Sequence, residues 1–325
     1  MGSQEIGILL GVYNGADFLD EQIQSYLDQG HGAWRVLARD DASTDASLEI
    51  LNRYSQTDSR IHLISDQESN LGVVGNFSAL MKAALETDMP YFAFSDQDDV
   101  WHPDKLSALL GVMKEAEVAC PGKPVLVHSD AEVVDTHLNT VCPSFMAYQG
   151  ICHNRVNPLN NLLVQNFVTG CTLMVNRKLL ELAYPVPEAA LMHDWWLALC
   201  AAVSGRIEFA DRPLIRYRQH RNNQVGAKSV TLYLNPFTGR WYSAWESGRQ
   251  HFAQSVRQAG ALADRMAEYG VADRHIRLVK AYASLLELTP VNRVRCLYRH
   301  GIRSQTSIRQ ALMISRLFFI PRHRK

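Results

Sequence analysis

The first half of the chain predicts an α/β fold, a mainly parallel sheet flanked by helices, and three observations predict it. Short runs rich in Ile, Leu, Val and Phe recur: IGILLGVY at 6–13, WRVLARD at 34–40, IHLIS at 61–65, YFAFSD at 91–96 and VLVHSD at 125–130. Between most of them, residues 18–29, 47–55, 76–86 and 105–117 carry apolar side chains at helical spacing. Strands alternating with helices build a parallel sheet covered on both faces. The third observation is where the polar clusters fall, at the carboxyl ends of the predicted strands. Ligands of such sheets bind at those ends.

Each element follows in order. The first run breaks at Tyr13-Asn14-Gly15, a turn signal, before the first helix. The second runs into Asp40-Asp41-Ala42-Ser43-Thr44-Asp45, where Asp45, Ser43 or Thr44 would cap the next helix. Neighbouring strand residues face opposite sides, so one of Asp40 and Asp41 reaches a ligand, and Asp41 is the choice. After the third run, Asn70-Leu71-Gly72 and Gly75-Asn76 offer amides that either face a diphosphate or serve only a loop needing glycine. The fourth run ends in Ser95, Asp96, Gln97, Asp98 and Asp99; Asp104, beside Pro103, would cap the helix at 105–117. From about Thr231 the periodicity is helical only.

Acids crowded at a strand end repel one another unless a cation or hydrogen bonds relieve them. All-oxygen ligands suit a hard divalent cation, Mg²⁺ or Mn²⁺, the latter also accepting imidazole. Magnesium takes few protein carboxylates and fills its other positions with water and phosphate oxygens, so Asp96-Gln97-Asp98 reads as a metal site that a diphosphate completes.

Composition sets bounds. The chain has 325 residues, 47% hydrophobic and 20% charged, enough for one large domain or a domain with an appendage. Its charge is uneven: from Lys228 onward there are 17 Lys/Arg against 5 Asp/Glu, leaving 16 and 28 of the 33 and 33 before that point. This basic region would meet an anionic surface such as phospholipid, or form a solvated helical face. The last helical segment aligns Ile308, Leu312, Ser315 and Phe319 on one stripe and Arg309 and Arg316 on another; it would lie in a membrane interface or pack on the main domain. The start has no basic region before a long apolar core, and no apolar run has bilayer length, so a cytoplasmic protein is expected, with peripheral contact to the inner membrane as its one membrane option. The six scattered cysteines form no C-x-x-C pair and read as reduced packing residues. No nucleic-acid partner is expected.

The order GVYNG, RDDASTDAS, FSDQDDVWHPDKL and HDWW resembles family 2 glycosyltransferases with the GT-A fold, from Ile6 to about Gly226. Within that family the chain is similar to the bacterial branch holding many rhamnosyltransferases of surface polysaccharide and O-antigen synthesis. The resemblance implies a nucleotide-diphosphate sugar donor, dTDP-L-rhamnose or a UDP-sugar, and a saccharide or lipid-linked oligosaccharide acceptor. It implies that Asp41 binds the donor at the base and Asp96 near the ribose; Tyr13, Asn14 and Asn70, at the neighbouring strand ends, complete the expected donor site. Asp98 would ligate the metal, with His220, which lies among Arg216, Arg218 and Arg221 so that a phosphate-facing basic loop competes with ligation. Thr169 and Gly170 would form the acceptor wall.

Asp194 would be the catalytic base. As the sole base opposite the leaving group it implies inversion at the anomeric carbon. The family often has Glu-Asp where this chain has His193-Asp194, and His193 reads as an orienting or packing residue. Of Trp195 and Trp196, neighbours on one helix, only one can face the acceptor; Trp195 would stack on it and Trp196 join the core. The expected division is a GT-A catalytic domain over 1–228, with a nucleotide-sugar half to about 120 and an acceptor half from about 121, then a helical basic region over 229–325. Two alternatives use the same ligands. A sugar nucleotidyltransferase would carry a glycine-rich basic loop after the first strand, where this chain has the acidic GVYNGADFLD. A non-catalytic nucleotide-sugar-binding protein would not need both Asp98 and Asp194.

Overall fold

A computed structural model of the chain describes residues 5–66, 70–220, 241–271 and 274–322. One nine-stranded sheet organises it, in the order β3-β2-β1-β4-β8-β6-β9-β5, with β7 paired on β6. Strands β1 (Ile6–Val12), β2 (Trp34–Asp40), β3 (Ile61–Leu63) and β4 (Tyr91–Ser95) are mutually parallel. The parallel pattern is broken by β8 (Leu173–Asn176), which runs against both β4 and β6 (Val125–Val134). β9 (Arg206–Arg218) then pairs parallel to β6, and the short β5 (Val100–Trp101) and β7 (Thr140–Cys142) are antiparallel additions. The fold is thus α/β with a mixed sheet, parallel over β1 to β4.

Alternation along the strands sorts the core into two layers. Ile8 and Leu10 of β1 pack with Leu19, Ile23 and Tyr26 of α1 (Ala16–Leu27), Leu51 of α2 (Ser47–Thr57), and Leu109 and Met113 of α4 (Lys105–Ala119). Leu9 and the Phe92 and Phe94 rings face the other way, onto Phe77 and Leu80 of α3 (Gly72–Leu85) and Leu179 of α7 (Arg177–Ala183). Strands apolar on both faces are what a sheet covered on both sides requires, and each buried Leu or Ile contributes roughly 1.5–3 kcal/mol. The short helices α5 (Phe145–Gln149) and α6 (Pro158–Leu162) and the longer α8 (His193–Ser204) complete this half; α8 is buried over nearly its whole length.

The basic region forms α9 (Trp241–Glu268), α10 (Arg274–Ala283), α11 (Pro290–His300) and α12 (Ser307–Leu317). These helices are built into the main body. Phe252, Val256, Leu262 and Met266 of α9 share one apolar cluster with Leu9, Phe92 and Trp196. The buried Arg293 donates to the carbonyls of Leu286, Leu317 and Ile320, binding α11 to α12. The stripe expected on the last helix is rotated. Met313, Leu317 and Ile320 are buried, whereas Ile308 and Phe319 are exposed. Arg309 explains the rotation: its Nη1 and Nη2 donate to the Gly150 and Gln149 carbonyls at 2.9 and 2.6 Å, so that face turns inward. Among the described residues no helix is long and apolar enough to cross a membrane. The boundary expected near residue 228 lies outside the described residues, as does Arg221.

Candidate active site

The loops after β1, β2 and β4 form one rim. The Tyr13 N–H donates to Gln97 Oε1 at 2.5 Å and Gln97 Nε2 returns a bond to the Tyr13 carbonyl at 2.9 Å, so two strand ends are clamped together. Gly15 is required there, since a Cβ would stand 2.4 Å from Gln97 Cδ. Asn14 takes a left-handed φ of 51°, which Asn tolerates better than most residues. Its N–H donates to Ser43 Oγ and its Oδ1 accepts from the Thr44 N–H, both at 2.8 Å. Asp45 accepts from the Ala16 and Ser47 N–H groups, 3.0 Å each, and so caps two helix starts at once.

Asp40 and Asp41 diverge as strand alternation requires. Asp40 Oδ2 accepts from the Ser43 N–H at 2.9 Å. Asp41 is buried; its Oδ1 accepts from Arg39 Nη1 at 2.6 Å and from the Leu71 N–H at 2.8 Å, and Asn70 Nδ2 donates to its carbonyl at 3.0 Å. Arg39 is itself fully buried, giving Nε and Nη2 to Asp66 and sharing Nη1 with Asn76 Oδ1. This network fixes Asp41 at the start of α3.

The acids after β4 divide into two sets. Asp96, Asp99 and Cys171 bring one ligand atom each within 4.8 Å of one another. Asp99 Oδ1 accepts from the Arg218 N–H at 3.2 Å, and its carboxyl lies against the Cys171 thiol. Burial, reinforced by the Asp98 and Asp96 charges, raises the Asp99 carboxyl well above its ordinary range. Burial, with Asp98 and Asp194 beside it, also raises Asp96. The fully buried Lys105 answers this negative charge. Its Nζ donates to the Cys171 carbonyl at 2.6 Å and lies 3.4 Å over the Trp101 ring, and burial pushes its pKa down to about 7.

In the second set, Asp98 Oδ2 meets His220 Nε2 at 2.9 Å, their side chains 14% and 11% exposed. Arg218 holds this loop from beneath: Nε donates to the Asp98 carbonyl at 3.0 Å, Nη1 to the Thr136 carbonyl at 2.6 Å, and Nη2 pairs with Glu21. For a hard divalent cation the second set fits better. Carboxylate oxygen suits Mn²⁺ or Mg²⁺ and imidazole is accepted by Mn²⁺, whereas the inner set carries a soft sulfur and an ammonium alongside.

Asp194 stands in the first turn of α8, where helix N–H groups favour an anion. Its Oδ1 accepts from the Trp195 N–H at 2.5 Å, and the Gly170 N–H also supports it. Burial nevertheless raises its pKa to about 7. Gly170 opens the short 3₁₀ turn Gly170–Thr172. A Cβ at Gly170 would lie 2.9 Å from His193 Nε2 and 3.6 Å from Asp194 Cβ. The half-buried Thr169 accepts at its carbonyl from Thr172 Oγ1 at 2.7 Å. His193 is buried, stacked on Phe77 with centroids 3.8 Å apart, and burial pushes its pKa down to about 3, so it is a neutral packing group.

Two expectations are corrected here. Trp195 and Trp196 are 3% and 0% exposed and donate through Nε1 to the Leu162 and Ala183 carbonyls, so both rings belong to the core and neither presents a stacking face. Asp104 occupies the N-cap position of α4, yet its carboxylate makes no cap bond and pairs with Arg212 at 2.5 Å instead.

The structure brings Asp96, Asp98, His220 and Asp194 to one region, with Tyr13, Asn14, Asp41 and Asn70 along the same rim. The sequence reading missed Arg39 and Lys105, and it placed Gln97 at the metal and Arg218 in a phosphate-facing loop, where the structure has both holding the loops together. Lys105 had left a signal: it shares the i, i+4, i+8 face of α4 with the buried Leu109 and Met113.

Residues 8–182 match the family model described as glycosyl transferase family 2. The chain is 29% identical over 172 residues to TuaG of Bacillus subtilis (strain 168), named for teichuronic acid biosynthesis; the match covers 53% of this chain and 66% of TuaG. It is 26% identical over 250 residues to the dTDP-rhamnosyl transferase RfbG of Shigella flexneri, covering 72% of this chain and 80% of that one. Among solved structures, residues 1–349 of S. aureus TarS in complex with UDP-GlcNAc superimpose with a TM-score of 0.55 at 14% identity, covering 98% of this chain and 90% of that chain, which establishes the GT-A fold.

Proposed function

The chain belongs to glycosyl transferase family 2, and from that membership we propose that it transfers a sugar, rhamnose first among the choices, from a nucleoside diphosphate to a glycan hydroxyl with inversion. The convergence of Asp96, Asp98, His220 and Asp194 carries this reading. RfbG's donor class supports dTDP-L-rhamnose, and the names of RfbG and TuaG support a role in surface polysaccharide synthesis. A lipid-linked acceptor would bring the enzyme to the cytosolic face of the membrane.

In this reading the rim divides the donor. Asp41, immobilised by Arg39 and the Leu71 N–H, accepts from the base N3–H. Tyr13, Asn14 and Asn70 frame the nucleoside, and Asp96 lies toward the ribose. Asp98 and His220 would hold a divalent cation, Mn²⁺ or Mg²⁺, which when bound supplies Lewis-acid relief of the charge on the leaving diphosphate. Arg218 fixes the Asp98 backbone, and Lys105 limits the repulsion among the acids behind it.

The reaction breaks the bond between C1 and the diphosphate oxygen and forms a bond between C1 and the acceptor oxygen, through an oxocarbenium-like state. The acceptor proton passes to the Asp194 carboxylate. A pKa of about 7 matches that duty, since a general base works best when its pKa lies near the working pH. Thr169 and Gly170 form the wall beside Asp194.

The test is a donor screen by release of nucleoside diphosphate, with Mn²⁺, Mg²⁺ or EDTA, and NMR of the product's anomeric carbon. dTDP-L-rhamnose or a UDP-sugar should support metal-dependent release and an inverted product. A retained configuration, or full activity in EDTA, would refute the reading.

A further inference from the structure

A second concave site lies away from the acid rim. A cleft of about 670 Å³ opens where α6 and the start of β9 meet α10 and α11. Four arginines line it, Arg155, Arg206, Arg274 and Arg299, with His275 and His300. Glu208 is the sole carboxylate among the described lining residues, and it pairs with Arg206. Three guanidinium groups therefore face one cavity with no lining carboxylate among the described residues to balance them.

The cleft is separate from the chemistry. It is reached at Ala202 and Gly205, at the C-terminal end of α8, and Asp194 lies eight or more residues back at the other end, at least about 12 Å away at the rise of an α-helix. None of the residues lining the cleft belongs to the acid rim. The cleft also gathers part of the charge asymmetry that the rim leaves unexplained, because Arg274 and Arg299 come from the basic region and Arg155 and Arg206 from the body.

We propose that this cleft binds a phosphate ester. The guanidinium fork matches phosphate oxygens in paired hydrogen bonds, and several forks on one concave wall favour a multiply charged anion. The volume falls within the range of ligand pockets and far exceeds one phosphate group. Leu159, Ile207 and Leu278 line the same cavity and would meet an apolar portion of the ligand. An anionic phospholipid headgroup and a soluble phosphate ester both present this chemistry. The inference stands independently of the transfer reaction.

The test uses the purified full chain in metal-free buffer with EDTA. One arm titrates inorganic pyrophosphate by calorimetry; the other sediments the protein with phosphatidylglycerol-containing vesicles against vesicles of phosphatidylcholine alone. The double variant Arg155→Ala/Arg299→Ala removes two cleft charges. Arg277→Ala/Lys280→Ala removes two exposed charges that do not line the cleft. All four residues are exposed, so folding is not at stake. In at least one arm the cleft variant should bind about tenfold or more weakly and the control less than about threefold. Loss in the pyrophosphate arm identifies a soluble ester, and loss in the vesicle arm alone identifies a headgroup. Absence of binding in both arms, or equal weakening by both variants, overturns the proposal.

Discussion

In the proposed reaction, burial at Asp194 sets both activity and stability. Its carboxyl has a pKa of about 7 in the folded chain against 3.8 for a free side chain, because burial disfavours the ion. The unfolded chain therefore ionises first as pH rises. The stability associated with the neutral form is complete below about pH 4 and is lost as pH climbs to about 7. Asp194→Asn removes the ionisation and keeps an oxygen for the Trp195 N–H. At pH 8 its thermal unfolding should show a gain on the order of 2–4 kcal/mol that shrinks as pH falls toward 4, with transfer nearly abolished. The native enzyme's rate should rise with pH through an apparent pKa near 7. A variant no more stable than the native chain at pH 8 would mean that the carboxylate is solvated or paired. At this scale the acids were legible because they cluster at strand ends; the orientation of Trp195 was not, since a ring beside the proposed base can face either way until packing decides.

The elements that place Asp194 are less visible in sequence than Asp194 itself. β8 has four residues, and β9 is interrupted by Glu208, Asp211, Arg212 and Pro213, so neither gives a clean period. Yet β8 and the 3₁₀ turn before it bring Gly170 against His193 and Asp194. The ring that a new Cβ would strike at 2.9 Å is wedged on Phe77 and cannot swing aside. Gly170→Ala should cost about 1–3 kcal/mol of stability by overpacking. It should also lower kcat about 10²-fold through displacement of the base, with donor affinity little changed. Melting curves and steady-state kinetics would show both, and an unchanged kcat would detach the turn from the catalytic role of Asp194.

At the scale of the whole molecule, the alternation of apolar runs and helical stretches made the α/β architecture readable, and the strand-end rule located the rim. The mixed direction of the sheet was hidden because parallel and antiparallel strands share the same apolar pattern. The basic region was read as helical, but its integration was not, since α9 contributes Phe252, Leu262 and Met266 to the cluster that also holds Leu9 and Phe92. That shared core makes the rim's geometry a property of both regions. The central claim is a division of labour across the rim, Asp98 for the donor and its cation, Asp194 for the acceptor proton. Calorimetric titration of dTDP with Mn²⁺, paired with single-turnover transfer, tests it most directly. Asp194→Asn should bind dTDP within about threefold of the native chain while transferring about 10²–10⁴ times more slowly, and Asp98→Ala should lose the metal-dependent binding. Native-like binding by Asp98→Ala, or loss of dTDP binding by Asp194→Asn, would contradict the account.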